Sequence, residues 1–118
     1  MRILYVEDAQ PDMELMKRLI AAAHHEGIFV SDLEQAREAL PSQADLILVD
    51  IVLNQSRTGD KFVQELRSEG YQGPIIAVTG LALPHEVQRW YNMGFTEVVT
   101  KPFEAKALLR LFNKYAPI

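Results

Sequence analysis

The chain has 118 residues, 48% of them hydrophobic and 24% charged, which is room for one domain with a packed core rather than a disordered segment. Twelve Lys+Arg against sixteen Asp+Glu give a net charge of −4, which argues against a basic nucleic-acid footprint, and the lack of cysteine excludes disulfides, thiolate-bound zinc and thiol chemistry. No apolar run approaches the roughly eighteen residues of a membrane span, and the short apolar start meets acid at Glu7, unlike a signal peptide, so the cytoplasm is the expected compartment.

Short apolar runs alternate with helical patterns along the whole chain, without repeats, linkers or low-complexity tracts. Residues 3–6 form a β-branched-rich run too short for a helix. Residues 11–25 then repeat at helical spacing, with Met16, Leu19, Ile20 and Ala23 on one face, and Gly27 is expected to break that helix. Residues 28–30 read as a second strand and residues 33–40 as a short helix closed by Pro41. Residues 46–49 are apolar at every position, as suits a central parallel strand covered on both faces. Residues 60–69 are helical, with Phe62, Val63 and Leu66 as the buried stripe. Residues 75–78 form a fourth covered strand, bounded by Gly73-Pro74 and Gly80. Pro84 opens a helix that ends at Gly94. Val98-Val99 marks a fifth strand, and residues 104–115 make a last helix burying Leu108, Leu111 and Phe112. Five β-α units in this order predict a doubly wound α/β fold, with a parallel sheet and helices on both faces. Ligands of such sheets bind at the carboxyl ends of the strands.

Those ends carry Glu7-Asp8, Asp50, Thr79-Gly80 and Lys101-Pro102. Clustered carboxylates repel one another, and a hard divalent cation such as Mg²⁺ relieves that repulsion. Glu7, Asp8 and Asp50 sum to −3, while Lys101 and Mg²⁺ sum to +3. A carboxylate nucleophile at Asp50 could therefore take an anionic phosphoryl group if both cations are present. Thr79 has a hydroxyl proton to offer an anionic oxygen, and Gly80 leaves space beside it.

In these motifs, taken together and in order, the chain resembles the receiver domain of two-component response regulators over essentially its whole length. The resemblance implies a five-stranded flavodoxin-like sheet in the order 2-1-3-4-5 and a cis bond at Lys101-Pro102. It implies that Asp50 takes a phosphoryl group from a histidine kinase or phosphotransfer protein, with Thr79 and Lys101 binding at the same site. Asp8 would hold Mg²⁺ directly, Glu7 mainly through water, and the Val52 carbonyl would add another oxygen. Helix four, strand five and helix five would form the output face toward a downstream protein, and a phosphorylation-dependent homodimer is a further outcome. Residues 1–118 are expected to be one receiver domain without an output domain, without direct nucleic-acid contact and without enzymatic turnover beyond assisting its own phosphorylation and dephosphorylation.

Three departures from the family pattern stand out. Asn54 occupies a position where the family often has proline, the loop at 55–59 is about one residue longer than usual, and Val98 replaces an aromatic three residues before the lysine. Val52 and Leu81, two residues beyond Asp50 and Thr79, are apolar and unable to orient an attacking water, which predicts a long-lived phosphorylated state. A metal-dependent phosphatase passing through an aspartyl phosphate is the alternative, but it would want an acid where Val52 stands. A phosphorylation-independent pseudo-receiver is opposed by the complete acidic set, and a nucleotide role by the lack of a glycine-rich loop after the first strand. His24-His25 reads as a helix-end pair rather than a metal site, and His85 as a surface residue. Met13, Met16 and Met93 read as core fillers. Of Trp90 and Tyr91, one is expected in the core and the other on a partner surface.

Overall fold

A computed structural model describes residues 1–39, 41–51, 59–80 and 82–117. The apolar runs become strands β1 (Arg2–Val6), β2 (Glu26–Val30), β3 (Leu46–Asp50), β4 (Ile75–Thr79) and β5 (Glu97–Thr100). Between and after them lie α1 (Gln10–Ala22), α2 (Leu33–Glu38), α3 (Gly59–Ser68), α4 (Pro84–Met93) and α5 (Ala105–Tyr115), with a 3-10 turn at Pro41–Gln43. The strands form one sheet in the order β2-β1-β3-β4-β5, every neighbouring pair parallel. This is the expected doubly wound order, whose reversal between β1 and β3 opens a crevice at the strand ends.

Alternation along each strand divides the core between the two faces. Leu4, Val6, Ile47, Val49, Ile75 and Ala77 pack under α2, α3 and α4 with Ala36, Phe62, Val63, Leu66 and Trp90. Ile3, Tyr5, Leu46, Leu48, Ile76 and Val78 pack under α1 and α5 with Met13, Met16, Ile20, Leu108, Leu111 and Phe112. β3 and β4 are buried at all of their positions, as their unbroken apolar runs require.

The structure corrects one boundary. Gly27 does not stop α1; it lies inside β2, paired with Ile3. The helix ends at Ala22, and His24 makes the reversal with φ 62. The backbone N–H groups of His24 and His25 donate to the carbonyls of Ala21 and Ile20, so the pair does sit at a helix end, but it caps through its backbone. At the end of α4, Gly94 takes φ 120, and a Cβ there would come within 2.8 Å of Arg67 Cγ. Arg67 needs that space. Its guanidinium donates to the carbonyls of Gly94, Tyr71 and Gly73 and so ties α3 to the segments that lead into β4 and β5.

Candidate functional site

The ladder itself places the site residues. Val6 pairs with Val30 and Val49, and the Glu7 N–H extends the ladder by donating to the Val30 carbonyl at 3.0 Å. Asp50 pairs with Val78, and the N–H of Ile51 donates to the Val78 carbonyl. Thr79 pairs with Thr100, and the Lys101 N–H donates to the Thr79 carbonyl at 2.8 Å. The Lys101-Pro102 bond is cis, as the resemblance implied. Gly59 opens α3 directly behind Asp50, where a Cβ would lie 2.7 Å from the Asp50 carbonyl oxygen; only glycine permits that approach without a shift.

Glu7, Asp8 and Asp50 each bring a carboxylate oxygen within 4.8 Å of the others. Glu7 is fully buried, Asp50 and Thr79 are 7% exposed, and Asp8 lies at the surface. The Lys101 ammonium reaches Glu7 Oε1 at 2.5 Å, Asp12 Oδ2 at 2.9 Å and Asp50 Oδ2 at 3.2 Å. On the far side of Glu7, the Tyr5 hydroxyl donates to the same Oε1 at 2.8 Å. Glu7 Oε2 faces the backbone N–H groups of Asp8 and Ala9 at 3.2 and 3.4 Å.

Burial, reinforced by the neighbouring Asp50 carboxyl, pushes the Glu7 carboxyl up to about 7, against the opposing pull of Lys101. For Lys101, burial works to lower the value, but the contacts with Glu7 and Asp12 and the charge of Asp50 outweigh it and leave the ammonium held well above the ordinary lysine range. Tyr5 is likewise raised, by burial first and by Glu7 second, so its hydroxyl keeps its proton and acts as a donor.

Glu7, Asp8, Asp50, Thr79 and Lys101 therefore meet at one sheet edge. Val52, the proposed carbonyl ligand, lies outside the described residues, as do Leu81, Leu40 and the loop 53–58 with Asn54. A Cβ on Gly80 would meet nothing within 4 Å, in keeping with open space beside Thr79. Val98 is half-buried against the α2–α4 face of the core.

Two participants escaped the sequence reading. Tyr5 stands two residues before Glu7, and residues at that spacing share a face of a strand, so its hydroxyl was a usable signal. Asp12 looked like an ordinary first-turn acid of α1. Its arrival at Lys101 changes the formal charge sum: Glu7, Asp8, Asp12 and Asp50 give −4 against the +3 of lysine and a divalent cation. A second pair, Asp60 with Arg89 at 2.9 Å, links the start of α3 to α4, with Asp60 only 7% exposed. Of the two aromatics on α4, Trp90 is the buried one, at 1% exposure, and Tyr91 is 44% exposed.

A sequence model of the response regulator receiver domain matches residues 3–113. The transcriptional regulatory protein DltR of Streptococcus agalactiae is 32% identical over 110 residues, covering 92% of this chain and 49% of that protein. The chain thus spans about half the length of that relative. The receiver domain of a sensor histidine kinase from Pseudomonas aeruginosa, solved with a magnesium ion coordinated in its active-site cleft, is 27% identical with a TM-score of 0.83, over 97% of this chain and 95% of that one. The chemotaxis response regulator CheY4 of Vibrio cholerae superposes with a TM-score of 0.84 at 23% identity, over 97% of both chains, and shares the fold. With its strand order, its edge of acids and its lysine in place, this chain belongs to the response regulator receiver domain family, the phosphoacceptor signalling modules of two-component systems.

Proposed function

We propose that Asp50 is the phosphoacceptor of this receiver domain, taking a phosphoryl group from the phosphohistidine of a histidine kinase or phosphotransfer protein. An Asp50 carboxylate oxygen attacks phosphorus, the phosphorus–nitrogen bond to the donor imidazole breaks, and its electron pair leaves on that nitrogen. The observation that carries this reading is Lys101 Nζ at 3.2 Å from Asp50 Oδ2, within a cluster of acids at the binding edge of the sheet. Such transfer rests on positioning and charge neutralisation, and the residues here supply both. Thr79 and Lys101 are assigned to the oxygens of the incoming group.

The carboxylates that cluster among the described residues fit a hard cation that keeps several waters, and Mg²⁺ is the match. Asp8, Asp50 and the Val52 carbonyl are its proposed direct ligands. Glu7 is assigned to a bound water, because both of its oxygens already face donors from Tyr5, Lys101 and the backbone. When bound, the metal offsets the negative charge that gathers on the phosphoryl oxygens.

Output is assigned to α4, β5 and α5. Tyr91 stands out from α4, and an open groove between β5 and α5 is lined by Val98, Val99, Ala107 and Leu108. The same face is open to a second copy of the chain on phosphorylation. The work belongs in the cytoplasm, where a histidine kinase presents its phosphohistidine; among the described residues no helix is long and apolar enough to cross a membrane. No turnover of a separate substrate is assigned.

Incubation with acetyl phosphate and Mg²⁺, followed by intact mass, tests the proposal. The chain should gain one phosphoryl mass, lost in Asp50→Asn and on chelation of the metal. A phosphoryl group on another residue of Asp50→Asn at the wild-type rate would refute the assignment.

A further inference from the structure

Lys101 has three N–H donors, and three carboxylates reach it. Glu7 and Asp50 approach from inside, with side chains 0% and 10% exposed. Asp12 approaches from the first turn of α1, with its side chain 30% exposed, and is the partner nearest to water. We propose that Asp12 is a positioning residue for phosphoryl transfer: it holds the third N–H of Lys101 and adds a negative charge at the mouth of the site, restraining uptake of the phosphoryl group. The inference rests on the reading of Asp50 as phosphoacceptor and goes beyond it in naming a carboxylate that opposes the reaction.

Two consequences of the geometry support it. With Asp12 counted, the site carries a formal −1 even when lysine and a divalent cation are both present, and every phosphodonor is an anion. Lys101 must also release one acceptor before it can give a proton contact to a phosphoryl oxygen. Two of the three can yield: Asp50 Oδ2, the longest contact at 3.2 Å and part of the group that is phosphorylated, and Asp12, where water can replace the lysine, whereas Glu7 would be left buried without its cation.

The test uses the full chain, with Asp12→Asn, Asp12→Ser and Asp12→Glu, and initial rates of labelling by acetyl phosphate with Mg²⁺. Asp12→Asn and Asp12→Ser should lower KM for acetyl phosphate by about two- to fivefold, the effect of one partly screened charge, with the maximal rate little changed. The gain should shrink as salt is raised, and Asp12→Glu should restore the wild-type value. A second readout needs no phosphoryl donor. In ¹⁵N-labelled protein, the ammonium hydrogens of Lys101 should exchange with water faster in Asp12→Asn than in wild type. Labelled wild type with unchanged KM and unchanged exchange in both neutral variants would overturn the role of Asp12 alone. Wild type that takes up no phosphoryl group would overturn the proposed function, and this inference with it.

Discussion

Removal of one oxygen atom, in Tyr5→Phe, isolates the support beneath the acidic cluster. The Tyr5 ring is fully buried on the α1–α5 face, edge-on to Phe103, and its hydroxyl donates to Glu7 Oε1 at 2.8 Å. Phenylalanine keeps the ring and its packing, so the change reports on the hydrogen bond rather than on a cavity. A bond to a charged group contributes roughly 1.5–3 kcal/mol. The effect should fall at or just below the lower end of that range, because Lys101 still contacts Oε1 at 2.5 Å and the acceptor is not orphaned. We expect a loss of about 1–2 kcal/mol in metal-free protein. For 118 residues the unfolding entropy is about 0.25 kcal/mol/K, so Tm should fall by about 4–8 °C. Calorimetry on wild type, Tyr5→Phe, Glu7→Gln and the double variant closes the cycle, and the coupling between the two sites should be at least about 0.5 kcal/mol. Additive effects, or a Tm within about 1 °C of wild type, would show that the Tyr5 hydroxyl does not hold Glu7.

Three further outcomes follow from the same geometry. In calorimetric titrations with Mg²⁺, Asp8→Asn should weaken binding more than Glu7→Gln, since Asp8 lies at the surface while both Glu7 oxygens already face donors; an equal or reversed ranking would contradict the assigned metal roles. Trp90→Ala should cost about 3–5 kcal/mol by denaturant melts, because Trp90 is 1% exposed inside the core under α4, and a cost below about 1 kcal/mol would mean that the ring is not packed as described. Burial works to raise the Glu97 carboxyl, but Lys114 and Tyr115 prevail and depress it below its ordinary value. Its stabilising contribution is therefore complete above about pH 4.3, the unfolded value, and disappears as pH falls through the lower folded value. Glu97→Gln should flatten that acid limb in a pH series of melting temperatures, whereas an unchanged limb would assign it to other carboxylates.

The linear sequence determined the sheet and the contents of its edge. Runs such as 46–49 and 75–78, apolar at every position and too short for a buried helix, suit a strand covered on both faces, and their alternation with helical stripes points to a parallel sheet. In a parallel sheet all carboxyl ends lie on one side, so Glu7, Asp8, Asp50, Thr79 and Lys101 had to share an edge. Tertiary structure decided what those groups do to one another. Asp12 and Lys101 are 89 positions apart in sequence and meet only because α1 starts beside the end of β5, a distance that no local pattern encodes. The choice between Trp90 and Tyr91 was equally hidden, since adjacent helix positions differ by a rotation that only the packing of α4 on the sheet can fix. The end of α1 turned on the same kind of contact. Gly27 looked like the breaker, yet pairing with β1 drew it into β2, and the reversal fell to His24. Periodicity records which face of an element is apolar, whereas the roll of a helix, the partners of a long side chain and the last residue of an element depend on neighbours that only the folded chain brings near.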